Sequence, residues 1–305
     1  MSNHTLIVIA GPTASGKTAA AIQHAKELNT EIINADSRQF YKEMSIGTAV
    51  PSLKELHEVK HYFIQNISIF NKYDVAEYEK QVMQLLPKLF SRHDQVILTG
   101  GSGLFIDAVC KGIDDMPDIN EDTRKRVNSL LVEQGLEGLQ AEVQRLDPDF
   151  WAIVDRKNPR RLQRALEICY QTGRPFSSFR SRKPVNRDFN IVKYALLWDK
   201  QELYNRINRR VEIMLSQGLI DEARRLYPFR QLNALNTVGY KELFDYFDGK
   251  NSLEEAIEQI KLNTRHYAKR QMTWLRKDHA YIWINPSIGE RITFPMISPS
   301  ASKHS

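Results

Sequence analysis

The chain has 305 residues, 42% hydrophobic and 26% charged, with 43 Lys and Arg against 37 Asp and Glu for a net charge of +6. That length can bury a full core and suggests one main domain with a smaller companion, while no apolar run approaches the roughly eighteen residues that span a bilayer. Two cysteines, Cys110 and Cys169, exclude a disulfide framework or a thiolate cluster and read as buried, inert thiols, and only residues 1–4 precede the first apolar run, so no signal segment and a cytoplasmic location are expected.

The run "TLIVIAG" reads as a buried parallel strand and "TAAAIQHAKEL" as the helix that follows. Between them Gly11, Pro12, Thr13, Ala14, Ser15, Gly16, Lys17 and Thr18 match the eight-residue phosphate loop in its required strand-to-helix setting. Backbone N–H groups from Thr13 to Thr18, the helix N-terminus and the Lys17 ammonium can converge on phosphate oxygens, and the Thr18 hydroxyl can hold Mg²⁺. "TEIINADS" reads as a second strand, the stretch from Val75 to Phe90 as a helix, and "QVILTGG" as a third strand.

Asp36, after the second strand, can serve as metal ligand, general base or turn cap, and Ser37, Arg38 and Gln39 beside it offer phosphate and base-edge contacts. The third strand ends in "VILTGGSG" with no acid of the kind a nucleotide hydrolase uses to order metal and water. Its glycine turn lies where ligands bind in such sheets, and Ser102 there can donate to a leaving oxygen or cap the next helix.

The strand–helix alternation stops near Gly112. "GIDDMPDINEDTRKRVNSLLVEQG" enters a helix, "GLQAEVQRLDPDF" gives a short one stopped at Pro148, and "NPRRLQRALEICYQTG" is a helix capped by Asn158, with Pro159 in its first turn and Gly173 at its exit. "IVKYALLW" returns as a strand. Helices follow over Lys200–Gln217, Leu219–Tyr227, Tyr240–Phe247 and Leu253 to about Arg276, then the strand "YIWIN". The fold class expected is α/β, a P-loop NTPase-like parallel sheet flanked by helices with an inserted all-helical domain. Residues 1–113 and 189–290 form the core, 114–188 the insertion and 291–305 a flexible tail.

Two basic stripes stand out. Residues 156–187 hold ten Lys and Arg with one acid, Glu167, and residues 261–277 hold six with none, Tyr267 and Trp274 interleaved. They fit a groove that follows a phosphate backbone, or two solvated helix faces. The loop alone leaves open an ATP-dependent nucleoside or small-molecule kinase, and the stripes a P-loop RNA-binding module without transfer chemistry.

Six blocks, "GPTASGKT", "NADSRQFYKEMSIGTA", "LTGGSGLF", "NPRRLQRALEI", "VGYKE" and "AKRQMTWLR", resemble in content and order the bacterial tRNA dimethylallyltransferase family over residues 5–284. The resemblance implies that Gly11 to Thr18 bind the diphosphate of dimethylallyl diphosphate, with Mg²⁺ near Thr18, and that the dimethylallyl group passes to N6 of adenosine 37 in the anticodon loop of tRNA. It implies Asp36 as the base, and Lys17, Arg206 and Ser102 as leaving-group contacts. RNA contacts carry over to Asp36, Ser37, Arg38, Gln39, Ser102, Arg124, Arg160, Arg161, Leu162, Gln163, Arg164, Lys269, Arg270 and Gln271, with a monomer as the expected state. The chain departs from the family at Ser102, where Thr is usual, and at Arg156, where Pro often follows the Asp.

Overall fold

A computed structural model describes residues 4–180, 185–286 and 292–295. Six strands, β1 (Thr5–Ala10), β2 (Ile32–Asn34), β3 (His61–Tyr62), β4 (Gln95–Gly100), β5 (Asn190–Leu196) and β6 (Tyr281–Ile284), form one sheet in the order β3-β2-β4-β1-β5-β6, every pairing parallel. The helices are α1 (Lys17–Leu28), α2 (Leu53–Glu58), α3 (Val75–Phe90), α4 (Gly103–Lys111), α5 (Glu121–Leu146), α6 (Pro148–Trp151), α7 (Pro159–Thr172), α8 (Lys200–Ser216), α9 (Leu219–Leu226), α10 (Tyr240–Phe247) and α11 (Leu253–Leu275). None of them is long and apolar enough to cross a membrane.

The unbroken apolar run of β1 has its cause in burial on both faces. Leu6, Val8 and Ala10 pack with Tyr78, Val82 and Leu86 of α3, while Ile7 and Ile9 pack with Ala20, Ala21 and Ala25 of α1. Small alanines let α1 lie close to the sheet, which sets the phosphate loop directly over the carboxyl end of β1. There β4 lies on one side and β5 on the other, the switch point at which open parallel sheets bind ligands.

The chain divides into two compact units, Met1–Lys111 with Asn186–Ser305, and Gly112–Val185, within two or three residues of the expected 114 and 188. The second unit is helical. Asn158 caps α7 by accepting from the Arg161 N–H, Gly173 ends it at φ 69°, and Leu162, Ala165 and Leu166 pack against Val127, Leu139 and Val143 of α5. Gly135, at φ 65°, breaks α5 where the sequence changes from one helical segment to the next.

Three elements, α2, β3 and α6, are not among those expected, α6 starting at Pro148 where a helix was expected to stop, and "QVILTGG" is the fourth strand in chain order. The expected tail also needs correction. Within 291–305, Phe294 is 7% exposed and packs on Tyr194 and His24, and the Tyr194 hydroxyl donates to the Pro295 carbonyl over 2.6 Å. An aromatic ring covering α1 fixes residues 292–295 alone. Residues 291 and 296–305 lie outside the described residues.

Candidate active site

The phosphate loop is held by three side chains distant in sequence. Trp198 Nε1 donates to the Ser15 carbonyl (2.8 Å), Arg206 Nε to the Ala14 carbonyl (2.9 Å), and Gln271 Oε1 accepts the Thr13 N–H (2.8 Å). Arg206 also stacks on Trp198, 4.3 Å from guanidinium to ring centroid. Ala14 at φ 62° and Gly16 at φ 86° are left-handed, which turns successive N–H groups inward as in anion-binding nests. Not all of the N–H groups from Thr13 to Thr18 that could converge on phosphate are free to do so. Thr13 is corrected, since Gln271 takes its hydrogen, and the Ser15 N–H turns back to the Pro12 carbonyl (3.2 Å).

Lys17 and Asp36 meet at the glycine turn after β4. A Cβ on Gly101 would stand 3.5 Å from Lys17 Nζ and 3.6 Å from Asp36 Oδ2, and would collide with the Gln271 amide nitrogen. The ammonium and the carboxylate thus face one small space that a side chain at 101 would fill. Lys17 is 9% exposed. Burial pulls its ammonium down to about 8, Asp36 opposing the shift and Arg210 adding to it. Asp36 Oδ1 accepts the Arg38 N–H (3.3 Å), so one oxygen shapes its own turn and the other points at the corner.

Ser102 does not cap α4 with its hydroxyl. Its Oγ accepts the Ser37 N–H (2.9 Å) and bonds Ser37 Oγ (3.0 Å), joining the turn after β4 to the turn after β2. A cleft of about 550 Å³ opens from this corner, with Thr13, Asp36, Arg210, Tyr267 and Arg270 among its polar lining and Ile207, Val211, Met214 and Val238 among its apolar lining. Arg210 and Tyr267 were missed in the sequence. Burial lowers the Arg210 guanidinium, with Asp36 opposing, and pushes the Tyr267 hydroxyl up to about 12, with Asp36 adding to the shift. Arg210 had a readable signal, the four-residue spacing that puts it on the same face of α8 as Arg206.

The IPP transferase family model matches residues 39–278. The chain belongs to that family. It is 50% identical to "tRNA dimethylallyltransferase 1" of Phocaeicola vulgatus, covering 92% of this chain and 94% of that one, and 52% identical to "tRNA dimethylallyltransferase" of Christiangramia forsetii, covering 93% of each. Among solved structures, the tRNA isopentenylpyrophosphate transferase of Bacillus halodurans is 36% identical with a TM-score of 0.68 over 92% of this chain and 90% of that one. A eukaryotic dimethylallyltransferase acting on tRNA is 26% identical with a TM-score of 0.77, covering 92% and 74%.

Several RNA-contact residues expected of this IPP transferase have other places. Leu162 is fully buried in the core of the helical unit. Gln39 is 7% exposed and its amide donates to the Thr48 and Ala49 carbonyls (3.1 and 2.8 Å). Gln271 is equally buried, with both ends of its amide spent inside the protein. A buried side chain whose hydrogen bonds are already made offers RNA nothing, so Gln39 and Gln271 act within the core unit, and Leu162 belongs to the packing of the helical unit. Arg38 donates to the Asn233, Ala234 and Asn236 carbonyls. In the helical unit Gln163 holds Asn128 (2.9 Å), Arg164 pairs with Glu167 (3.4 Å), Arg124 is half-buried, and Arg160 and Arg161 are exposed. Lys269 and Arg270 are exposed on α11. Of the first basic stripe, Arg182 and Lys183 lie outside the described residues, and Arg187 is spent on Glu79 and on the Ala108 and Val109 carbonyls.

Among the described residues no cluster of three His, Cys, Asp or Glu could hold a metal. The donor set present, the Thr18 hydroxyl opening α1, still fits Mg²⁺, which commonly takes few protein ligands and completes its shell with phosphate oxygens and water.

Proposed function

We propose that this IPP transferase transfers the dimethylallyl group of dimethylallyl diphosphate to N6 of adenosine 37 in the anticodon loop of tRNA, releasing diphosphate. Family membership carries the coarser part, a transferase of the tRNA dimethylallyltransferase class. The finer part rests on one observation, the Lys17 ammonium and the Asp36 carboxylate facing the same corner at Gly101, beside the Gln271 amide. Such a corner suits a reaction with an anionic leaving group on one side and a proton to remove on the other.

The exocyclic amine of adenine is a weak nucleophile because its lone pair delocalises into the ring. Reaction therefore needs an aligned allylic carbon, stabilisation of departing charge and a base. In this reading N6 attacks the allylic carbon, the bond from that carbon to the diphosphate oxygen breaks, and the N6 proton passes to Asp36. Lys17, Arg206 and the free loop N–H groups hold the diphosphate, and Ser102 orders the turn beside the reacting centre. Thr18 would hold Mg²⁺ together with diphosphate oxygens, adding neutralisation of leaving-group charge. The apolar wall of the cleft suits a branched five-carbon chain. Adenosine must leave the stacked loop to reach the corner, the usual route for enzymes acting on a base. Arg160, Arg161, Lys269 and Arg270 are the exposed cations that would hold the RNA backbone, with a single chain as the acting unit and the cytoplasm as its location.

The test is incubation with unmodified tRNA and labelled dimethylallyl diphosphate or γ-labelled ATP in parallel. Prenyl label in RNA at adenosine 37, with no phosphoryl transfer from ATP, is the expected result. Label from ATP in an acceptor would replace this reading with a kinase.

A further inference from the structure

We infer that Gln271 is a positioning residue that sets the spacing between the donor-holding loop and the acceptor-side turn, and so decides whether the allylic carbon meets an amine or water. The inference rests on the transfer reaction proposed above. The Gln271 side chain lies between the two halves of the site. Its Oε1 accepts the Thr13 N–H over 2.8 Å, and its Nε2 donates to the Gly101 carbonyl over 2.8 Å. Thr13 belongs to the diphosphate loop, whereas Gly101 is where Lys17 and Asp36 meet and immediately precedes Ser102. The Gly101 bond is buried and the Thr13 bond part-buried, with Gln271 itself only 7% exposed, so each is costly to leave unmade.

The helix behind Gln271 is held rigidly against the same turn. Trp274 Nε1 donates to Asp107 of α4 over 3.0 Å, and a Cβ on Gly103 would collide with the Trp274 ring. Lys111 then ties Asp107 to Asp278 at 2.8 and 3.0 Å. Tyr267, Gln271 and Trp274, at positions i, i+4 and i+7, therefore present one face of α11 to the site. With the helix fixed to α4, the Gln271 amide is the direct hydrogen-bonded link from α11 to the phosphate loop.

Misplacing a bound allylic diphosphate by a fraction of an ångström lengthens the path to the amine and does little to its affinity. The competing step is hydrolysis, in which water attacks the allylic carbon, the bond to diphosphate oxygen breaks, and dimethylallyl alcohol, diphosphate and a proton are formed. Loss of either Gln271 bond should lower transfer and raise alcohol per transfer event, with KM for the donor nearly unchanged.

Between the amide of Gln and the carboxyl of Glu, which share one shape, only the amide and the protonated acid can accept from Thr13 and donate to Gly101 at once. In Gln271→Glu the ionised carboxylate keeps the first bond and faces the Gly101 carbonyl with the wrong charge, whereas the neutral acid restores both. The full-length protein and its Gln271→Glu and Gln271→Leu variants are assayed for transferred prenyl group and free alcohol between about pH 6 and pH 8.5. Each variant is read as a ratio to wild type at the same pH, because Lys17 and Asp36 also face this corner. Gln271→Leu should lose about tenfold or more in kcat at every pH and raise the alcohol-to-transfer ratio about tenfold. Gln271→Glu should show the same loss at high pH and recover towards wild type as pH falls. Both variants within threefold of wild type, an unchanged alcohol ratio, or a Gln271→Glu ratio flat with pH would overturn the inference. So would failure of Gln271→Glu to fold at any pH, which would make the role purely structural. Absence of transfer by the wild-type protein would instead overturn the proposed function.

Discussion

Asp36 and Lys17 occupy one corner but answer to different physics. Asp36 is half-exposed with one oxygen committed to its own turn, so its replacement should leave the fold intact and, in the proposed reaction, take away the base. Asp36→Asn should cut kcat by at least about a hundredfold, the ordinary contribution of a positioned base, with tRNA affinity within about threefold of wild type. Near-normal turnover in single-turnover assays would remove Asp36 from that role. Lys17 is governed by burial, which brings its ammonium down to about 8. A diphosphate needs the charged form, and kcat/KM reports the free enzyme, so kcat/KM for the donor should be flat with respect to Lys17 below about pH 8 and fall up to tenfold per unit above it. In the donor-saturated complex the diphosphate favours the charged form, so kcat should fall at higher pH. These two residues were legible because each sits in a contiguous motif. Gln271, Arg210 and Tyr267 acquire their roles only on folding. The Thr13–Gln271 bond spans 258 positions, and local pattern says nothing about which distant glutamine closes a loop.

Among elements, those with strong periodicity and local punctuation were readable, as with α7 between Asn158 and Gly173. β3 was not, because two residues carry no period, but α2 left a signal in the Ser52 and Glu55 of a capping box. The loop after β2 is organised from outside itself. Glu222 of α9, 3% exposed, accepts the N–H groups of Ser45, Ile46 and Gly47 at 3.0, 2.9 and 2.9 Å, and the Tyr240 hydroxyl at 2.7 Å. A Cβ on Gly47 would come within 2.6 Å of the Tyr240 ring, so the glycine lets that ring close over the loop. Gly47 and Thr48 then form part of the cleft wall. Replacing Glu222 by Gln substitutes a donor for one carboxylate oxygen and leaves a buried N–H unpaired. The expected loss is about 2 kcal/mol, seen as a lower urea midpoint with unchanged m. Tyr240→Phe removes a single bond to the same carboxylate and should cost about half as much. An unchanged midpoint for Glu222→Gln would mean that the loop holds itself.

Across the whole molecule the net charge of +6 says less than how the cations are partnered. Counting the first stripe as ten free charges overstates it. Arg156 lies over Trp151, Arg174 over Phe179, Arg180 near Phe150 and Phe176, Arg164 beside Glu167, and Arg187 is bonded to Glu79. Arg160 and Arg161 stand exposed in the first turn of α7. A cation that contacts phosphate releases counterions, and each such contact contributes roughly 0.7 to 0.9 to the slope of log affinity against log salt. The double variant Arg160→Ala, Arg161→Ala should therefore bind tRNA more weakly at low salt, with the slope shallower by about 1.5, and keep its thermal stability. Arg187→Ala should do the reverse, lowering stability through the unpaired Glu79 and leaving the slope within about 0.3 of wild type. Filter binding across a salt series distinguishes the two. If the Arg160 and Arg161 pair left the slope unchanged, the start of α7 would be a solvated face, and the RNA contacts would have to be sought on α11 at Lys269 and Arg270.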